Sequence, residues 1–324
     1  MRVMVEEQVV EVVGRYLRRD PEKIKEALKE IGIESITDLM STNPRELAQA
    51  FGIKETTARK IVDDAREEAA KGLMEPKTLM DLLEEEQRRD RVPTGIERLD
   101  QKMGGGLPTG VIVGMYGPPG AGKSQFVIQV ATQALKQGEP VLYIDTENAF
   151  RPNRLLEIGG FGKDEINEIA DLFVLRRVLD ATALRKYFDE KSGEFADEAY
   201  ELSPKVIIID SISQPFRPYS SRDKLPERSR MIAHILATLL KYCSTRDALG
   251  LVTTHVQANP EPWGRRWEDV APTVLKHVAT YRFSIDFEGR DKRKIRLEDA
   301  PDIPPFEVDV ELTDEGLIDA GGKS

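Results

Sequence analysis

Gly117-Pro118-Pro119-Gly120-Ala121-Gly122-Lys123-Ser124 is the stretch of this chain best equipped for chemistry. Its glycines let the backbone curl until several N–H groups point inward. A helix starting there adds its positive end, so the loop can cradle phosphates. Lys123 would reach the β- and γ-phosphates of a nucleoside triphosphate, and Ser124 would ligate Mg2+. Val111–Tyr116 before the loop reads as an apolar strand, and Gln125–Leu135 after it reads as a helix. The expected nucleotide-binding set is Gly117, Pro118, Pro119, Gly120, Ala121, Gly122, Lys123, Ser124 and Gln125. Alone, the loop predicts ATP or GTP.

Two more apolar runs end in carboxylates. Val206-Ile207-Ile208-Ile209-Asp210 reads as a buried strand whose Asp210 would hold the magnesium through water. Val141-Leu142-Tyr143-Ile144-Asp145-Thr146-Glu147-Asn148 reads the same way. Strand C-termini are where such folds place their sites. Glu147 is therefore the candidate general base, orienting a water toward the γ-phosphate, with a solvated loop glutamate as the alternative. Lys123 and Glu147 are expected to be catalytic, together with His255 farther along the chain.

The elements that must carry these residues are legible in the pattern. From Pro93 onward, strand-like runs (Val111–Tyr116, Val141–Ile144, Phe173–Leu175, Val206–Ile209, Gly250–Thr254) alternate with helical segments, which predicts a mainly parallel sheet covered by helices. Tyr281–Phe287, Lys294–Leu297 and Glu307–Leu312 read as further strands. Residues 1–70 read as helices, with apolar spacing in Val9–Leu17, Ile24–Ile31 and Ile36–Met40 and a start signal at Asn43-Pro44. Phe51-Gly52-Ile53 followed by Lys54–Val62 is helix, glycine turn, helix. It resembles the second hairpin of a tandem helix-hairpin-helix domain. The amides at Gly52 could touch a DNA phosphate, with Lys54, Arg59 or Lys60 assisting. A bundle that only packs fits equally, and no Gly-x-Gly turn is evident earlier. The expected division is a helical domain over 1–70, a linker over 71–92 and an α/β core over 93–324.

Composition bounds the function. A net charge of −10 argues against a wholly basic nucleic-acid binder but allows a local basic groove. The single cysteine, Cys243, fits a reducing cytosol. The N-terminal stretch has early acidic residues and no continuous apolar segment, which predicts no secretory signal. The apolar runs are too short to span a membrane. No histidine or cysteine cluster suggests zinc.

Several motifs, in order, resemble the RadA/RecA-type recombinases. They are Pro93-Thr94-Gly95, Leu99-Asp100 and Gly104-Gly105-Gly106-Leu107 ahead of the phosphate loop, Asp145-Thr146-Glu147-Asn148 with Phe150-Arg151-Pro152-Asn153-Arg154, Ser211-Ile212-Ser213 with Phe216-Arg217 and Glu227-Arg228, and Asp299-Ala300-Pro301-Asp302-Ile303-Pro304. The resemblance covers the chain from about residue 30 and implies a RecA-like P-loop ATPase core. It further implies ATP hydrolysis by Glu147 with Mg2+, adenine stacking on Arg154, and a cap at Asp299 and Pro301 that covers ATP in the neighbouring subunit. A homo-oligomer, filament or ring, would bind single-stranded and duplex DNA in the cytoplasm. The first DNA loop would be about Gln214–Arg228, with Arg217, Tyr219, Arg222, Lys224 and Arg228, cations beside an aromatic ring. The second would run from about Ala258 to Thr273 and holds Trp263, Arg265, Arg266 and Trp267. Stacking on bases or packing on a partner would each explain the tryptophans.

The chain departs from the pattern at three places. His255 stands where the family carries a glutamine that couples nucleotide to DNA. It could serve as a sensor donating to the γ-phosphate, or be a packed core histidine. Ala271-Pro272-Thr273 replaces the flexible Gly-Gly-His that ends the second loop, and proline stiffens it. Leu73-Met74-Glu75-Pro76-Lys77 stands where a Phe-x-x-Ala segment links subunits, with Met74 as a possible anchor. The resemblance thus implies a strand-exchange recombinase, and the departures leave open a paralogue that assists another recombinase. A KaiC-type assembly ATPase without a DNA role is a third reading.

Overall fold

The computed structural model describes residues 5–72, 76–189, 194–258, 267–269 and 273–321. The chain divides into two compact units. One comprises Met1–Arg88 with Ala196–Ser203, the other Arg89–Phe195 with Pro204–Ser324.

The first unit is helical: α1 (Glu7–Gly14), α2 (Pro21–Glu30), α3 (Ile36–Ser41), α4 (Pro44–Phe51), α5 (Glu55–Gly72) and α6 (Leu79–Arg88). Asn43 caps α4 through its side chain, which accepts from the Arg45 N–H at 2.9 Å, and Pro44 occupies the first turn. Val9, Val13, Ile24, Leu28, Leu39, Leu47, Phe51, Ile61 and Val62 form a shared core. A glycine turn that the sequence pattern does not announce joins α2 to α3. Gly32 sits at φ 71° and Gly52 at φ 58°, and both turns close with the same paired bonds. Gly32 N–H donates to Lys29 O and Ile33 N–H to Leu28 O; Gly52 N–H donates to Gln49 O and Ile53 N–H to Ala48 O. Such left-handed helix ends favour glycine. Ile31-Gly32-Ile33 and Phe51-Gly52-Ile53 are therefore structural counterparts, so the hairpin is present twice.

The second unit carries β1 (Arg91–Val92), β2 (Leu107–Pro108), β3 (Ile112–Gly117), β4 (Val141–Asp145), β5 (Phe173–Arg177), β6 (Val206–Asp210), β7 (Leu249–Ala258), β8 (Trp267–Asp269), β9 (Tyr281–Phe287), β10 (Lys292–Asp299), β11 (Phe306–Thr313) and β12 (Gly316–Asp319). β1 and β2 form a short ribbon. The 10-stranded sheet runs β12-β11-β10-β9-β3-β7-β6-β4-β5, with β8 paired to β7. Pairing is parallel from β9 through β3, β7, β6 and β4 to β5, and antiparallel from β9 to β12. Central strands such as Val206–Asp210 are buried at every residue, which is why they read as unbroken apolar runs. The helices α7 (Glu97–Lys102), α8 (Lys123–Lys136) and α9 (Pro152–Gly159) follow β1, β3 and β4.

Two expectations need correction. Gln214–Arg228 is not one loop: Gln214–Tyr219 forms a 3-10 helix, and a long helix begins at Leu225. Pro226 sits in the first turn of that helix, where it is tolerated, and Arg228 lies on the same turn, partly buried. The second loop also opens as a β-hairpin, with Val256, Gln257 and Ala258 opposite Asp269, Glu268 and Trp267. Among the described residues, no helix is long and apolar enough to cross a membrane.

Candidate nucleotide site

β3 ends at Gly117, whose Cα packs so closely against β9 that an added Cβ would collide with the Ile285 carbonyl. The chain then turns through Gly120 at φ 77° and Gly122 at φ 114° before α8 starts at Lys123. Only glycine takes these conformations freely beside packed neighbours. The sequence therefore places a tight loop on a helix N-terminus. Lys123 is buried, and its Nζ donates to Gly117 O at 2.9 Å and Pro118 O at 3.1 Å. Burial lowers the pKa of that ammonium, while Asp210 and Glu147 pull it back up.

Parallel register brings the strand-end carboxylates together, with Asp145 opposite Asp210. Asp210 is buried; Tyr143 donates to it at 2.8 Å, and Thr253 donates to its other oxygen. Burial pushes its carboxyl up, against hydrogen bonds from Thr253, Ser124 and Tyr143 that favour the anion. Thr146 and Ser211 lock the two strand ends. Thr146 Oγ1 donates to Ser211 O at 2.6 Å and accepts from Ser211 N–H at 2.9 Å.

Asp145 holds the loop that presents Glu147. Its oxygens accept from the N–H groups of Glu147, Ala149 and Phe150 at 3.0, 3.3 and 3.3 Å. Glu147 Oε1 accepts from Ser211 Oγ at 2.6 Å and lies 2.6 Å from His255 Nε2. Burial raises the Glu147 carboxyl, but the bonds to His255 and Ser211 and the charges of His255 and Lys123 outweigh it, leaving it below the usual carboxylate range. His255 sits near the end of β7, where its own N–H donates to Ser213 Oγ at 3.1 Å. It faces Glu147 directly.

These groups open into one cleft of about 590 Å3. Its lining includes Pro119, Gly120, Gly122, Lys123, Ser124, Gln125, Glu147, Arg154, Asp210 and His255. Arg154 on α9 is held through all three guanidinium nitrogens: Nε donates to Gln125 Oε1 at 2.6 Å, Nη2 to Thr313 O at 2.8 Å, and Nη1 to Asp314 O. Leu312, Thr313 and Asp314 complete the wall. The end of β11 and its turn into β12 supply them; nothing in the sequence pattern announces these residues, nor Tyr143, Thr253 or the bracing by Asp145. Gly117, Pro118 and Ala121 do not line this cleft. Asp299 and Pro301 do not line this cleft; Asp299 ends β10, paired with Arg282 at 3.3 Å.

Of the expected DNA-contacting residues, Arg217, Arg222 and Lys224 are exposed and Tyr219 is partly so. Lys224 Nζ lies 5.7 Å from the Tyr219 ring centroid. Trp263, Arg265, Arg266, Ala271 and Pro272 lie outside the described residues, as does Met74; of Trp267 and Thr273 only the backbone is placed.

Comparison with known proteins decides the lineage. The Rad51 family model matches residues 87–320. The chain belongs to the Rad51 family. It is a RecA-type recombinase by descent, and its second unit is the RecA-like α/β core. A second match, to the SAM-like helix-hairpin-helix tandem, covers residues 21–67 and agrees with the doubled glycine turn. The chain is 32% identical over 308 residues to the DNA repair and recombination protein RadA of Methanoculleus marisnigri, covering 90% of this chain and 94% of that one.

Proposed function

We propose that this Rad51-family protein is an ATP-dependent DNA recombination and repair ATPase. It binds single-stranded DNA as an oligomer or filament and promotes homologous pairing and strand exchange. The observation that carries the reading is the cleft shared by Gly120, Gly122, Lys123 and Ser124 of the phosphate loop with Glu147, Asp210, Arg154 and His255.

The residues fit ATP with Mg2+. Glycines keep the loop open to phosphate oxygens, Lys123 is a buried cation whose Nζ bonds the Gly117 and Pro118 carbonyls, and Ser124 and Asp210 adjoin each other. Ser124 and Asp210 would hold the ion, Lys123 and the loop N–H groups the polyphosphate, and Arg154 the adenine. MgATP supplies the phosphoanhydride whose hydrolysis drives the cycle. Glu147, kept ionised, orients the attacking water and accepts its proton. His255 ties this carboxylate to β7, whose hairpin with β8 opens the second DNA loop. Arg217, Tyr219, Arg222, Lys224 and Arg228 would serve backbone and bases of a single strand, together with Trp263, Arg265, Arg266 and Trp267. Asp299 and Pro301 would cover ATP in the adjacent subunit.

A second reading is a RadA paralogue that assists another recombinase. The direct His255–Glu147 contact and the sequence of Ala271-Pro272-Thr273 favour it. A strand-exchange assay with the purified protein alone separates the two. Exchange with ATP supports the first reading; DNA-stimulated hydrolysis without exchange supports the paralogue. Absence of DNA binding contradicts both.

A further inference from the structure

Arg293 lies on β10, only 4% exposed, yet is outside the cleft lining. Its Nε donates to Ala121 O in the phosphate loop at 3.0 Å, and its Nη1 donates to Arg290 O and Lys292 O at 3.0 and 2.9 Å. The guanidinium carbon stands 4.6 Å from the ring centroid of Phe287, its cross-strand partner on β9. That ring also faces Gly120, where an added Cβ would come within 3.8 Å of it. Among the described residues, no carboxylate pairs with Arg293.

A buried cation satisfied by carbonyls and one ring is costly unless an anion compensates it. Its placement gives the reason. In a trans peptide the C=O and the next N–H point in opposite directions. Fixing Ala121 O toward β10 therefore turns Gly122 N–H away from β10, on the side where Gly122 lines the cleft. Arginine suits this task because its rigid fork can serve several acceptors while one face stacks on an aromatic ring.

We propose that Arg293 is a positioning residue for the nucleotide polyphosphate. It clamps the Ala121–Gly122 peptide from behind, aims its N–H at the phosphates, and adds a fixed positive charge that the bound anion complements. This inference rests on the ATP site proposed above. It requires no contact between Arg293 and the nucleotide, and none between Arg293 and Glu147.

The test uses the full chain with R293K, R293Q and K123A variants. Readouts are direct titration with ATP and ADP, thermal melting with and without nucleotide, and the kinetic split between KM and kcat. R293K keeps the charge but loses the fork. Its nucleotide affinity should fall roughly five- to tenfold, with kcat at saturating ATP within about twofold of wild type, since the Glu147 geometry is untouched. R293Q should lose more affinity, and its nucleotide-induced rise in melting temperature should shrink. A merely structural role would lower the melting temperature of the free protein and leave nucleotide affinity of the folded fraction unchanged. Wild-type affinity in folded R293K would overturn the proposal. If K123A also binds and hydrolyses ATP normally, the ATP-site reading itself fails; if K123A is impaired and R293K is not, only this inference fails.

Discussion

Replacing Glu147 by glutamine isolates what the carboxylate does. The side chain is fixed by two contacts of 2.6 Å, from Ser211 and His255, on a loop braced by Asp145. Glutamine keeps an oxygen that accepts both bonds, so the geometry should survive. What disappears is basicity, which a positioned general base contributes at about 10²–10⁴-fold in rate. The expected loss of kcat is therefore about 3–5 kcal/mol of barrier. Nucleotide binding should move the other way. Glu147 interacts with Lys123 across the cleft, and removing its negative charge lessens repulsion of an arriving polyphosphate. Single-turnover hydrolysis with enzyme in excess, paired with direct nucleotide titration, measures both. A rate within fivefold of wild type, or a loss explained by weakened binding, would refute the assignment.

Two other outcomes follow from the same geometry. The acid limb of kcat should lie below the ordinary carboxylate range, because Glu147 must be ionised to act and its pKa is depressed. In His255→Ala, burial is no longer offset by the His255 bond, so the limb should shift to higher pH in a kcat profile, and an unmoved limb would show that His255 does not tune the base. Cys243 is fully buried and its thiol is pushed up by desolvation, so alkylation should be slow in the native protein and fast in denaturant, with rapid native labelling counting against the packing of the long helix at Leu225–Arg246.

Much of the core was legible because its signals are local. The phosphate loop is contiguous, and the parallel strands are buried on both faces, so Val141–Asp145 and Val206–Asp210 announce themselves as apolar runs ending in carboxylates. What escaped depends on tertiary approach. The Thr313–Asp314 carbonyls meet Arg154 from about 160 residues away, which no spacing encodes. Arg293 hides in Asp291-Lys292-Arg293-Lys294, a run that looks like a solvated face; only the strand's alternation turns it inward. The turn at Gly32 uses a single glycine at positive φ, so a Gly-x-Gly signature does not reveal it. The resemblance puts Arg228 in the first DNA loop, but proline at a helix start is compatible with the helix that begins at Leu225, and Arg228 lies on its first turn.

The most direct measurement is the steady-state rate of ATP hydrolysis by the purified full chain with Mg2+, with and without single-stranded DNA. A several-fold stimulation by DNA, abolished in K123A, is the predicted result. Hydrolysis that single-stranded DNA leaves unchanged, or that survives the loss of Lys123, would contradict a DNA-coupled ATPase built on this cleft.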